Sequence, residues 1–279
     1  MQRFQVVALV SGGKDSTMNM MRCVEHGHTI ACLGNLFPAP SESCDELDSF
    51  MYQTVGHDGI EAIAACMELP LYRRPIQRKR SINQELEYTT TDGDEVEDLF
   101  ALLQFIKQQH PQVNAVATGA ILSNYQRTRV EAVCMRLGLV SLAFLWQGDQ
   151  AQLLDEMIGS GAAFGCSVLL RAFSLQDRPI LPARFLFLFV SSVCLVCGVE
   201  DWCDLIPLPG IEAKLIKIAC MGLTARKHLG RSLQEVRDTL HRLHSDFGAH
   251  ICGEGGEFET FTTDCPLYKA RIIVRHSLR

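Results

Sequence analysis

Val6-Val7-Ala8-Leu9-Val10-Ser11-Gly12-Gly13-Lys14-Asp15-Ser16 is the stretch whose reading decides the fold. The apolar run Phe4 to Val10 suits a buried strand and stops at two glycines. Met18, Met21, Cys23 and Val24 then recur roughly with helical spacing. Strand, glycine turn and helix place backbone N–H groups at a helix N-terminus, where the helix dipole also favours an anion. The stretch therefore predicts a phosphate nest in which Gly12 and Gly13 let the backbone approach. Lys14 adds positive charge, and Ser11 and Ser16 add hydroxyl donors.

Adjacent Gly12 and Gly13 exclude a Walker A loop, which needs four residues before its Gly-Lys-Ser/Thr end. They also exclude the dinucleotide fingerprint. SGGKDS instead resembles the pyrophosphate loop of the PP-loop ATP pyrophosphatases, which split ATP between its α- and β-phosphates.

At 279 residues and 47% hydrophobic content, the chain can form one sizeable α/β domain, or a domain plus an addition. A net charge of −6 speaks against a nucleic-acid surface. The twelve cysteines are scattered and no signal peptide precedes them, so reduced thiols, mostly core filler, in a cytoplasmic protein are expected.

Alternating strand and helix signals continue to Ile158. Strands are predicted at Phe4–Val10, Thr29–Leu36, Leu71–Ile76, Val113–Leu122 and Leu139–Trp146. Helices are predicted near Gly59–Met67, from Gly93–Leu99 to Gln109, up to Leu137, and at Gln150–Ile158. In such a sheet, ligands bind beyond the carboxyl ends of the strands. Leu36 and Phe37 are placed to cover an adenine or to be core, and Gly119 to let a nucleotide approach the backbone. Acidic residues at 94–98 suit the first turn of a helix. Arg73, Arg74, Arg78, Lys79 and Arg80 form the most basic patch, either a solvated loop or a contact for a phosphate or acidic partner.

From Ala162 to Gly210 the alternation is lost. Phe185-Leu186-Phe187-Leu188-Phe189-Val190 lies in an uncharged run between Arg184 and Glu200 that is shorter than the ~20 residues of a membrane span. Its exposure would favour aggregation. Cys194, Cys197 and Cys203 supply half a zinc site without a second pair. The grammar returns with a strand at Ala213–Met221 and a helix at Leu233–Phe247 capped by Ser232. In Cys252-Gly253-Glu254-Gly255-Gly256-Glu257-Phe258-Glu259-Thr260, three carboxylates stand among three glycines, a group suited to Mg²⁺ or an amine. Glu257 and Glu259 alternate with Phe258 as in a strand. Arg271–Val274 reads as a last strand.

With both clusters in hand, the sequence resembles the diphthine–ammonia ligase family. The likeness is carried by SGGKDS (11–16), ELDSFMYQTVGH (46–57), LYRRPI (71–76), GDEVEDL (93–99), GAILSNYQRTRVE (119–131), LAFLWQ (142–147) and CGEGGEFETFTTDCPL (252–267). It covers about residues 1–160 and 211–274. It implies an α/β fold with a doubly wound, mostly parallel sheet like that of adenine-nucleotide alpha-hydrolases, a smaller C-terminal α/β part and an irregular insert. The expected division is an ATP-binding domain over 1–147, a substrate-binding part over 148–161 plus 211–279, and an atypical insert over 162–210.

The implied reaction adenylates the carboxylate of diphthine, a modified histidine on translation elongation factor 2, and lets ammonium displace AMP. ATP and Mg²⁺ are the implied cofactors, with no nucleic acid and no membrane as partners. Ser11, Gly12, Gly13, Lys14, Asp15, Ser16 and Gly119 would bind ATP and pyrophosphate, with Asp15 as the Mg²⁺ ligand. Lys14, Asp15 and one of Glu254, Glu257 and Glu259 would carry catalysis. Tyr52, Gln53, His57, Asn124 and Arg127 would bind substrate. The alternatives are a PP-loop enzyme acting on transfer RNA and an inactive ATP-binding splice isoform. Two departures from the family stand out. Residues 162–210 interrupt a join that is continuous in the family and read as translated intron sequence. The chain also ends at Arg279 where the family usually continues.

Overall fold

The computed structural model describes residues 2–39, 49, 51–77, 83, 85, 87–159 and 210–274. The expectations for Glu46–Asp48, Arg78–Arg80, the FLFLFV run and the 194–203 cysteines fall outside these residues.

Five strands form one parallel sheet in the order β3-β2-β1-β4-β5. They are β1 (Gln5–Leu9), β2 (Thr29–Pro38), β3 (Leu71–Ile76), β4 (Ala115–Ala117) and β5 (Val140–Leu142). Helices α1 (Lys14–Glu25), α2 (Ile60–Met67), α3 (Val96–Gln109) and α4 (Asn124–Leu137) connect them. The central strands have both faces covered, so the middle of β1 and all of β4 are apolar and buried: Val6, Val7, Ala8, Ala115, Val116 and Ala117. The chain winds outward from β1 through β2 to β3, then crosses back to β4 on the other side. The gap beyond the carboxyl ends of β1 and β4 is thus the switch point where such sheets bind ligands. SGGKDS follows β1 and GAILSN follows β4, so both motifs arrive there.

The C-terminal part comprises α5 (Gln150–Ile158), β6 (Glu212–Ile218), α6 (Ala225–His228), α7 (Leu233–Phe247) and β7 (Phe258–Asp264). Strands β6 and β7 pair antiparallel. Leu153, Leu154 and Met157 of α5 pack with Ala213 and Leu215 of β6 and with Val236 and Leu240 of α7. Ser232 and Glu235 form a complete capping box at the start of α7. Met157 O accepts a hydrogen bond from Ile211 N at 2.6 Å, and a Cβ placed on Gly210 would lie 2.4 Å from Gly159 N. The chain therefore re-enters the described structure where it left it.

Four strand expectations need correction, one of them simply that β6 ends at Ile218 rather than Met221. The fourth strand ends at Ala117 rather than Leu122, because the Ile121 and Leu122 N–H groups turn away to a carboxylate, that of Glu254. The fifth ends at Leu142 rather than Trp146: Leu142 O still accepts from Thr118 N, but the Asn19 side chain, which also donates to Leu142 O, takes Phe144 N, the next donor a ladder would use. Arg271–Val274 is not a strand. It makes one ladder-like bond, Ile272 N to Thr263 O at 2.8 Å, and Ile273 is 81% exposed.

Candidate active site

The pyrophosphate loop is shaped by its own side chains. Gly13 N donates to Ser11 Oγ, and the Ser16 and Thr17 hydroxyls both donate to Gly13 O. Gly12 sits at φ +89°, a conformation that favours glycine, with Phe261 packed against it. Strand β7 lies directly on this loop: Lys14 N donates to Thr260 Oγ1 at 3.1 Å, and Thr262 N donates to Gly12 O at 2.8 Å. A segment some 245 positions away thus fixes the nest.

Lys14 is 3% exposed, its Nζ 2.8 Å from Asp15 Oδ2 and 5.2 Å from the Phe258 ring centroid. Asp15 Oδ1 is buried and has no hydrogen-bond partner among the described residues. That oxygen fits a hard cation held jointly with phosphate oxygens. Among the described residues, no group of three or more His, Cys, Asp or Glu side chains is arranged to hold a metal alone.

The loop opens into a cleft of about 480 Å³. Ser11, Lys14, Asp15, Ser16 and Gly119 line it from the nucleotide-loop side; Glu254, Phe258, Glu259 and Thr260 line it from the C-terminal part. Leu36, Tyr52 and Gln53 also line it. Gly119 makes a close approach possible, but to protein: a Cβ there would fall 2.7 Å from the backbone of Asp15 and Ser16. Gln53 donates to Thr260 O at 3.2 Å, and the Tyr52 hydroxyl points to Glu95 O at 3.4 Å.

The cleft does not gather every predicted substrate residue. His57 lies outside its lining, stacked on Phe37 and in contact with Arg73. Phe37 supports the Arg73 guanidinium, 4.5 Å away, instead of covering the cleft. Asn124 is exposed at the start of α4. Arg127 pairs with Glu131 and lies over Trp146. The described part of the basic patch is internally paired too, Arg73 with Asn35, His57 and Glu61, and Arg74 with Asp98 at 3.6 Å. The acids at 94–98 are buried cross-links more than dipole partners: Glu97 holds Arg136 through two 2.8 Å bonds, and Asp98 accepts from Gln77 N.

The three glutamates have separate surroundings. Glu254 accepts from Ile121 N (2.7 Å), Leu122 N (2.6 Å) and Ser123 N (3.3 Å), clamping the loop after β4 to the C-terminal part. Glu257 accepts from His250 N at 2.9 Å and lies off the cleft lining. Glu259 lines the cleft beside Lys217, 3.6 Å away. His250 links the group: its Nδ1 accepts from Cys252 N and its Nε2 is 3.8 Å from Glu254 Oε2. Burial holds the His250 imidazole below its usual value, opposed by the nearby Glu254 and Glu257. Burial pushes the Cys252 thiol up to about 12, so it is no thiolate at neutral pH.

Sequence reasoning missed Thr260, Thr262, Asn35, Gln126, His250 and Lys217. Thr260 and Thr262 had a signal: polar residues at period two in a strand that otherwise buries phenylalanines. Asn35, His250 and Lys217 are single polar residues with no local signature, and Gln126 is one of several polar residues in the run 123–129, which does not single it out.

Comparison with known proteins agrees with this geometry. The diphthamide synthase N-terminal domain model matches residues 4–141, and the C-terminal domain model matches 205–279. The diphthine–ammonia ligase of Danio rerio is 47% identical over 270 residues, covering 97% of this chain and 86% of that protein. The Homo sapiens protein of the same name is 44% identical over 274 residues, covering 98% and 84%. A Schizosaccharomyces pombe relative, 46% identical over 270 residues, is longer, and the chain spans 36% of it. A cleft walled by both characteristic motifs, with likeness along nearly the whole chain, leads to one conclusion: the chain belongs to the diphthamide synthase family of diphthine–ammonia ligases.

Proposed function

We propose that this chain amidates diphthine on translation elongation factor 2, consuming ATP and ammonium and releasing AMP and pyrophosphate. The observation that carries the reading is the seating of β7 on the pyrophosphate loop through Thr260 and Thr262. It joins the phosphate nest and the acidic GEGGEFE turn in one cleft.

A carboxylate is a poor acyl donor because its leaving group would be oxide. Its oxygen attacks the α-phosphorus of ATP, the bond to the β-phosphate oxygen breaks, and pyrophosphate leaves. Loop N–H groups and Lys14 stabilise the charge that grows on the β-phosphate. Mg²⁺, held by Asp15 together with the phosphates, would supply further charge neutralisation. Ammonium then gives up a proton, ammonia attacks the acyl carbon, and the carbon–oxygen bond to AMP breaks. The resulting amide nitrogen sheds a second proton.

Glu259 is the acid best suited to ammonium. It lines the cleft, whereas Glu254 is spent on three backbone N–H groups and Glu257 lies behind. Tyr52 and Gln53, on the cleft wall, would contact substrate; His57, Asn124 and Arg127 would act at its rim. The division into 1–147 and 148–161 plus 211–279, with 162–210 as an added segment, is supported by the Met157–Ile211 hydrogen bond that brings the segment's ends together. A cytoplasmic location follows from the elongation-factor substrate; among the described residues, no helix is long and apolar enough to cross a membrane.

The test separates the two half-reactions. Exchange of labelled pyrophosphate into ATP, in the presence of diphthine-bearing factor, should persist in Glu259→Gln while amide formation falls ~100-fold or more. Equal loss of both would remove Glu259 from the ammonium step.

A further inference from the structure

Among the described residues, two lysines line the cleft, and the reaction so far uses only Lys14. Lys217 stands on β6, directly across from Glu259 on β7. Its Nζ is 3.6 Å from Glu259 Oε1, and the two side chains are 38% and 21% exposed. That separation exceeds a good charge-assisted hydrogen bond, and a part-exposed contact of this kind contributes little by itself. The next residue, Thr260, caps the pyrophosphate loop at Lys14 N. Both members of the pair line the cleft into which the pyrophosphate loop opens. A polyphosphate offers an ammonium group several anionic oxygens, where Glu259 offers one carboxylate.

We propose that Lys217 is a second phosphate-binding cation, which leaves Glu259 for the β- and γ-phosphates when ATP enters and so opens Glu259 to ammonium. The proposal deepens the ligase reading and rests on it. It also orders the reaction: the carboxylate that receives ammonium loses its lysine partner only once the nucleotide is in place. A second ammonium-like cation, Lys217 itself, occupies that carboxylate beforehand.

The pair makes opposite predictions for its two members, which a merely structural ion pair does not. Equilibrium binding of ATP and of AMP to the full chain measures the difference, because AMP lacks the β- and γ-phosphates. Lys217→Met should weaken ATP about tenfold and leave AMP unchanged. Glu259→Gln should tighten ATP severalfold, since Lys217 no longer has to leave a carboxylate; misfolding cannot produce a gain. Lys217→Arg should keep the preference for ATP over AMP. Equal weakening of both nucleotides by both substitutions, or unchanged ATP binding in Lys217→Met, would overturn the proposal. Wild-type chain that binds ATP but makes no factor-dependent AMP overturns the ligase reading alone, and the Lys217→Met ratio still decides this one. Wild-type chain that binds neither nucleotide overturns both.

Discussion

The two glycine-rich clusters that wall the cleft are built in opposite ways. Residues 11–16 are shaped from within, their hydroxyls and backbone bonding to one another over a few positions, and β7 is then seated on Gly12 O and Lys14 N from outside. Residues 252–260 form a distributed object. Glu254 reaches back to 121–123, Glu259 reaches across to β6, and Thr260 caps the other cluster. Both clusters are rich in glycine and charge, yet only the first has its chemistry written in its own neighbourhood. Three acids close together in sequence therefore serve three different ends. Glu254 clamps a distant loop, Glu257 braces a turn, and Glu259 faces the cleft.

Substitutions can break this contrast. The largest effect is expected at Lys14. Lys14→Ala should lower kcat/KM for AMP release ~1,000-fold or more, because charge stabilisation at the leaving phosphate is lost. Steady-state kinetics with a melting curve would check it; a loss of melting temperature in step with activity would make Lys14 structural instead. At the distributed cluster the expected effect is mainly on stability. Glu254→Gln exchanges an anionic acceptor of three N–H groups for a neutral amide, and should cost about 2 kcal/mol in denaturant unfolding.

Gly119→Ala should cost about 1–3 kcal/mol, since the new methyl meets the backbone of Asp15 and Ser16 at 2.7 Å. Its effect should spread to ATP binding, because the strained contact is the first turn of α1. Unchanged stability would mean that the loop after β4 yields easily.

His250 sharpens the comparison through pH. Burial lowers its pKa in the folded protein, so the unfolded chain takes up the proton more readily. Stability should therefore be intact above the unfolded value of about 6.5 and fall as pH drops through the range below it. The groups that face His250 electrostatically are Glu254, Glu257, Lys14 and Asp15. His250→Asn should flatten that part of the stability–pH curve. The smallest effect belongs to a remote feature: Ser232→Ala removes the capping box of α7 and should cost about 1 kcal/mol without altering nucleotide binding.

Much of the parallel sheet could be read from the chain. The bounds of β3, α5 and α7 match their apolar periodicity and caps, and SGGKDS marks the switch point by local turn chemistry. The misreadings share a physical cause. Strands β4 and β5 end early because Glu254 and Asn19, remote in sequence, take the groups that would extend them. Gly119 was legible as a site of close approach, but its neighbour is α1. His57 and Arg127 meet nearby protein groups and Asn124 is exposed, and none of the three is in the cleft lining, a placement that no local pattern reveals.

One measurement bears on the whole cleft: release of AMP and pyrophosphate from ATP and ammonium, with and without diphthine-bearing elongation factor 2. It should be run on this chain and on one joined from 161 to 211. AMP that depends on the factor, from the joined chain at least, is the predicted result. AMP from neither chain, or AMP at the same rate without the factor, would contradict a cleft built to adenylate a protein-bound carboxylate.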